Sequence, residues 1–192
     1  MGRSPSTLGR TVTEAAARGA VLLAIARDAI ERVAAPGAGP AWEHEWLRLP
    51  GASFVTLRID GELRGCIGSV EARRPLGNDV AHNARAAAFR DPRFPPVSTD
   101  ERARLQVEVS LLSPREPIEA ASEAEAARCL RPGLDGVYFE FHTLAATFLP
   151  QVWEGIPEPL AFLGELRRKA GLPPRFWHRD VRLSRYTVEK FT

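Results

Sequence analysis

The chain has 192 residues, 44% of them hydrophobic and 26% charged, with a formal net charge of +2 at pH 7. That balance fits one globular domain with a full core and sets aside disordered and fibrous classes. No apolar run approaches the roughly 20 residues that span a bilayer, and the opening MGRSPSTLGR lacks the apolar core of a signal peptide, so a cytoplasmic protein without a membrane partner is expected.

Residues 1–10 read as a flexible tail, although Met1-Gly2 with Ser6 meets the minimal myristoylation pattern, and a single domain is expected over 11–192. Thr11 followed by Glu14 is a capping box, and Val21, Leu22, Ile25, Ile30 and Val33 give an apolar helical stripe to about residue 34. The Pro/Gly-bearing connection that follows carries Trp42 and Trp46, which suits a segment packed on the body. FVTLRIDGELRGCIGSV then reads as a β-hairpin, and PLGNDVAHNARAAAF as a second helix with a small apolar stripe of Leu76, Val80, Ala84 and Ala87. RLQVEVSLL alternates as a half-buried strand, and SEAEAARCL gives a short helix with Cys129 in the core. GVYFEFH and ATFLPQ are strands, EPLAFLGELRRKA is a helix closed by Gly171, and VRLSRYTVEKF is a last strand. Helices and strands mix without a strict βαβ period, so the fold class is α+β, a largely antiparallel sheet with flanking helices.

Two cysteines, Cys66 and Cys129, are too few and too far apart for a disulfide framework or a metal knuckle. The hairpin register decides where Cys66 points. A two-residue loop would place the Arg64 guanidinium on the apolar face, whereas a three-residue loop, Ile59-Asp60-Gly61, sets Arg58 opposite Glu62. Val55, Leu57, Leu63, Gly65 and Ile67 then share one face, and Thr56, Arg64, Cys66 and Gly68 the other. On that polar face Arg64 favours the thiolate of Cys66, and Gly65 and Gly68 leave room for a ligand or another backbone. The plainer alternative is a packed cysteine whose glycines serve a bulge.

Other candidates surround this thiol. Glu108 and Ser110 occupy the polar face of their strand and could meet Arg64 and Cys66, most simply as a salt bridge between Glu108 and Arg64. Asp91 and Arg93 lie in a segment stiffened by Pro92, Pro95 and Pro96, which either presents them at fixed positions or holds an internal ion pair. His82, opposite Ala84 on its helix, is a candidate general base or a solvated surface residue. No P-loop, GxGxxG, GxSxG or HExxH pattern occurs, so nucleotide, hydrolase-elbow and zincin readings have no support; no metal ligands are assigned, and the motifs leave the cofactor unknown. Residues 165–192 carry eight cations against three acids, with Phe176, Trp177 and Tyr186 interleaved. A nucleic-acid strand could be held there, yet arginine and alanine richness throughout the chain is the simpler source of that bias.

Taken together, FVTLRIDGELRGCIGSV, AFRDPRFPPVSTDE, LQVEVSLLSPREPI, GVYFEF, FLPQV and FLGELRRKAGL resemble, in this order, the AMMECR-type domain family, called protein A of the AmmeMemoRadiSam system in prokaryotes. The resemblance covers roughly residues 15 to 190, and LRGCIG with DPRF is its specific pair. Members often carry a cysteine shortly before the KAGL segment, where this chain has Arg167 and Arg168. The resemblance implies a larger and a smaller lobe with a cleft carrying LRGCIG, and association with a Memo-like protein and a radical S-adenosylmethionine protein; a homodimer is also compatible with it. The expected site therefore comprises Cys66 as nucleophile, Glu108 or His82 as base, and Arg64, Gly65, Gly68, Asp91, Arg93 and Ser110 as ligand-binding positions. The rival reading is a non-catalytic adaptor whose cleft docks a partner segment.

Overall fold

A computed structural model describes residues 7–32 and 43–192, with side chains from Glu14 onward. The chain divides into a larger unit, Met1–Leu111 with Lys190–Thr192, and a smaller one, Leu112–Glu189. Residues 1–6 of the expected tail, Val33 and Trp42 lie outside the described residues. Helix α1 spans Thr7–Glu31, so it takes in residues 7–10 and begins four residues before Thr11. The Thr11–Glu14 spacing therefore falls inside the helix and does not mark its start. Among the described residues no helix is long and apolar enough to cross a membrane.

In the larger unit, strands β1 (Pro50–Ile59), β2 (Glu62–Gly68), β3 (Arg74–Pro75), β4 (Gln106–Leu112) and β9 (Val188–Phe191) form one sheet in the order β2-β1-β4-β9, with β3 paired to β1. Helix α2 (Leu76–Phe89) lies on β1 and β2 and packs against α1. Its expected stripe of Leu76, Val80, Ala84 and Ala87 is buried, and Leu22, Ile25 and Ile30 of α1, Val55 and Leu57 of β1, Val107 and Val109 of β4, and Phe191 of β9 complete that core. Small residues on α2 bring it close to the sheet. A Cβ placed on Gly65 would lie 2.2 Å from the Ala87 carbonyl oxygen, so the glycine of β2 exists for the helix backbone above it. Trp46 packs partly against the core, with the Arg18 guanidinium over its ring.

The hairpin turn differs from expectation. Asp60 (φ 52°) and Gly61 (φ 85°) are both left-handed and form the two-residue type I′ turn whose twist matches the flanking strands. Ile59 pairs with Glu62, and Arg58 with Leu63 rather than Glu62. The register then shifts between Arg58 and Leu57, so that Leu57 pairs with Gly65 and Arg64 is the extra residue of a bulge. The conflict that counted against a two-residue loop is thus resolved by the bulge. Beyond it Val55 pairs with Ile67 and Thr56 with Cys66, which preserves the expected separation of Cys66 from the aliphatic face. Leu63 leaves that face and is 36% exposed.

In the smaller unit β5 (Glu116–Ile118), β8 (Arg182–Tyr186), β6 (Gly136–Phe141) and β7 (Leu144–Phe148) form an antiparallel sheet in that order. Val137, Phe139 and Leu183 turn to α4 (Glu123–Cys129) and α5 (Pro159–Lys169), where Phe162 stacks on Trp153 at 3.7 Å between centroids. Gly171 closes α5 with φ 85°, as its position suggested. The expected last strand is two strands: β8 belongs to this sheet and β9 to the larger unit's.

Gly65→Ala should lower stability by about 1–3 kcal/mol, because the added methyl meets a carbonyl oxygen that cannot retreat without moving α2. Chemical denaturation measures this, and an unchanged midpoint would show that α2 is not seated on β2 as described.

Candidate functional site

Strand β2 is the outer strand of its sheet, so alternate residues direct their main-chain groups away from β1 with no strand to receive them. At Cys66 the segment after α2 supplies the partners. The Asp91 Oδ2 accepts the Cys66 N–H at 2.8 Å, and the Arg93 Nη2 donates to the Cys66 carbonyl at 3.2 Å. Asp91 and Arg93 are joined in turn: Nε donates to Oδ1 at 2.9 Å, Nη2 to Oδ2 at 2.7 Å, and the Arg93 main-chain N–H to Oδ1 at 3.1 Å. The internal ion pair and the fixed presentation, weighed above as alternatives, are one arrangement. Hydrogen bonding from Arg93, helped by the Cys66 and Arg93 N–H groups, holds the buried Asp91 carboxyl well below the usual carboxylate range despite the cost of burial.

The thiol of Cys66 is partly exposed. Its cross-strand partner Thr56 donates a hydrogen bond from Oγ1 to Sγ at 3.3 Å. Gly68, opposite Phe54, is covered by the Phe54 ring, which a Cβ there would strike at 2.1 Å. The two glycines flanking the thiol are therefore filled by a helix backbone and by an aromatic ring.

Arg64 does not meet Glu108. Its Nε and Nη2 donate to the two carboxylate oxygens of Glu101, at 2.7 and 3.1 Å. Glu101 comes from α3 (Thr99–Arg102), a single turn closed by a capping box with Ser98. Bidentate pairing with Arg64 first, and the Ser98 N–H second, lower the Glu101 pKa from 4.5 to about 2 and raise that of Arg64. Arg64 and Arg93 both approach the Phe94 ring, at 5.9 and 5.5 Å from its centroid. Each expected anion clamp thus already carries a carboxylate. Arg64 Nη1, however, is buried with no acceptor among the described residues.

The remaining candidates are spread more widely. Glu108 and Ser110 stand on β4, on the side of the sheet opposite Val107 and Val109; β1 separates them from β2, a lateral distance of about 10 Å. His82 is exposed on α2, and burial of its ring followed by the Arg74 charge lowers its pKa; the charges acting on it belong to Arg74, Asp79 and Arg90, none of them in the Cys66 cluster. Cys129, expected in the core, is exposed at the end of α4, because the helix turns Ala126 and Ala127 inward instead. Of the basic C-terminal residues, Arg167 is buried against Glu123 and the Pro174 carbonyl, Lys169 binds the Thr147 carbonyl, and Arg185 binds Glu116 and the Cys129 carbonyl. Arg182 lines a cleft of about 510 Å³ on the smaller unit with Arg115, Glu140 and Ser184. Among the described residues no cluster of three His, Cys, Asp or Glu side chains could hold a metal ion.

A second polar cluster had no counterpart in the sequence reading. Asp79, in the first turn of α2, is fully buried and accepts from the Ser53 N–H at 2.9 Å, the Ser53 hydroxyl at 2.7 Å, the Ser69 hydroxyl at 2.8 Å and Asn83 Nδ2 at 2.9 Å. Asn83 also donates to the Ser53 carbonyl at 2.9 Å. The i, i+4 pair Asp79–Asn83 on an otherwise apolar helix face was its only sequence signal.

Because the Asp91 and Glu101 pKa values are depressed in the folded state, their stabilisation is complete above the ordinary carboxylate range and is lost as the pH falls through it toward about 2. Glu101→Gln should therefore be less stable than the parent at pH 7, with a shallower decline on acidification. Urea unfolding at a series of pH values tests this, and parallel curves for the two proteins would contradict it.

The AMMECR1 family profile matches residues 23–191. The chain is 42% identical over 142 residues to a protein of Methanothermobacter thermautotrophicus, covering 72% of this chain and 73% of that one. It is 40% identical over 149 residues to one of Thermotoga maritima, covering 77% and 80%. The crystal structure of the uncharacterized protein PH0010 from Pyrococcus horikoshii superposes with a TM-score of 0.76 at 35% identity, over 90% of this chain and 89% of that one. With its family profile, its relatives and its fold in agreement, the chain belongs to the AMMECR1 family.

Proposed function

We propose that this protein is an enzyme, or a component of one, in a modification pathway shared with a Memo-like protein and a radical S-adenosylmethionine protein, and that Cys66 is its nucleophile or covalent carrier. The observation that carries this reading is the way Cys66 is held. Its main chain is fixed from the open edge by Asp91 and Arg93, while its sulfur stays partly exposed with a hydroxyl donor beside it. Arg64, anchored by Glu101, keeps Nη1 as a buried donor for a substrate oxygen. Glu108 is the carboxylate we assign as base, acting on a substrate that lies over β1 between the two outer positions; Asp91 is committed to Arg93 and is too acidic to serve. His82 lies in a separate electrostatic neighbourhood and is the weaker candidate.

A second reading has its own observation. Both guanidinium groups are neutralised internally, by Asp91 and Glu101, which also suits a rigid, non-catalytic adaptor surface. Thiol chemistry separates the two. With iodoacetamide at neutral pH, Cys66 should be alkylated faster than Cys129, which is the more exposed sulfur and an internal reference for accessibility alone. Cys66→Ser should abolish the activity of the reconstituted three-protein system and leave the unfolding midpoint nearly unchanged, since a hydroxyl replaces a partly exposed thiol without leaving a large cavity. Slower alkylation than Cys129, together with a joint loss of stability and activity in Cys66→Ser, would establish the adaptor instead.

A further inference from the structure

We propose that Thr56 is a positioning residue for Cys66: its hydroxyl donates to the sulfur, holds the side chain in one orientation and favours the thiolate. The inference rests on the reading of Cys66 as a reactive thiol and adds the group that prepares it. The two residues are directly opposed across β1 and β2. At Cys66 the main-chain N–H and C=O point outward to Asp91 and Arg93, so Thr56 and Cys66 form the pair without mutual main-chain hydrogen bonds, in which side chains approach most closely. Oγ1 lies 3.3 Å from Sγ. A hydroxyl can donate to the thiolate or accept from the thiol, and because the bond to the charged form is the stronger of the two it favours the thiolate.

The charged neighbourhood is accounted for on every side. Arg93 and Asp91 approach from the segment after α2, where hydrogen bonding to the Asp91 carboxylate raises the Arg93 pKa. Arg64, on the thiol's own strand, is occupied by Glu101 of α3. On β1, the facing group is Thr56 itself. Each cation is matched by a carboxylate, and the donor seen on the sulfur among the described residues is the Thr56 hydroxyl.

The test uses the full chain carrying Cys129→Ser, so that Cys66 is its only thiol, and follows iodoacetamide alkylation by intact mass from pH 6 to pH 10. Thr56→Val keeps the β-branched shape that a strand prefers and deletes the donor. It should move the midpoint of the pH–rate curve upward by about half to one pH unit, the net worth of one ordinary hydrogen bond. The rate at pH 7 should fall roughly two- to fourfold, since the loss of thiolate outweighs its gain in nucleophilicity. Thr56→Ser should restore the parental curve. Thr56→Ala, which adds no apolar bulk, carries the same expectation as the valine variant if that variant does not fold. An unchanged curve in the variants lacking the hydroxyl, or a serine variant that behaves like them, would overturn the proposal. Failure here is distinct from failure of the functional reading, which is decided by Cys66→Ser in the reconstituted system.

Discussion

The hydrogen bond from the Cys66 main chain to the Asp91 carboxylate joins the outer strand of a sheet to a residue 25 positions further along the chain. An uncovered sheet edge is a template for unwanted pairing, and proteins cover it with charge or with a loop. Here one ion pair does both. Arg93 neutralises the carboxylate that receives the N–H and itself reaches the carbonyl, so the edge is closed at Cys66 without a further strand. Phe94 follows directly and brings Arg64 and Arg93 to one ring. The LRGCIG and DPRF segments are thereby two halves of one structure.

Asp79 repeats this device at the other end of α2. It sits in the first turn of the helix, where a carboxylate is favoured by the free N–H groups, and it accepts hydrogen bonds from β1 and from Ser69 just beyond β2. Asp91 lies two residues past the helix's last turn. The hairpin is thus tied to α2 by an acidic residue at each end of the helix, with the alanine stripe and Gly65 setting a short distance between them. A buried carboxylate is costly unless its oxygens are satisfied, and both of these are. The reward is a defined orientation for the residues between, Cys66 among them.

How much of this was legible depended on the range of each signal. The α2 stripe is periodic within a few residues and appears as expected, whereas the alternation of β4 holds through Val109 and breaks at Ser110, which is buried while Leu111 is half-buried. The faces of Thr56 and Cys66 were legible for the same reason, although the turn was not: alternation alone cannot show that Arg64 is looped out as a bulge. Glu101 was missed as the partner of Arg64 because the two are 37 positions apart and α3 is only four residues long. The Ser98-x-x-Glu101 capping box was not singled out in the sequence, and the similar Thr11–Glu14 spacing misled, since helix α1 begins four residues before Thr11. Cys129 was misplaced because an alanine-rich helix offers several small faces, and only tertiary packing selects one.

The division of the chain's end between two sheets bears on how the protein is made. Strand β8 completes the smaller unit, but β9 and Phe191 belong to the larger one, whose other strands are translated far earlier. The last strand of the larger unit's sheet and one aromatic ring of its core therefore leave the ribosome only after the whole smaller unit has done so. Domains usually mature in order from the N-terminus. Here the larger unit waits until the smaller one has been translated, so a chain stalled before β9 is left with an open sheet edge at β4 and a core lacking Phe191.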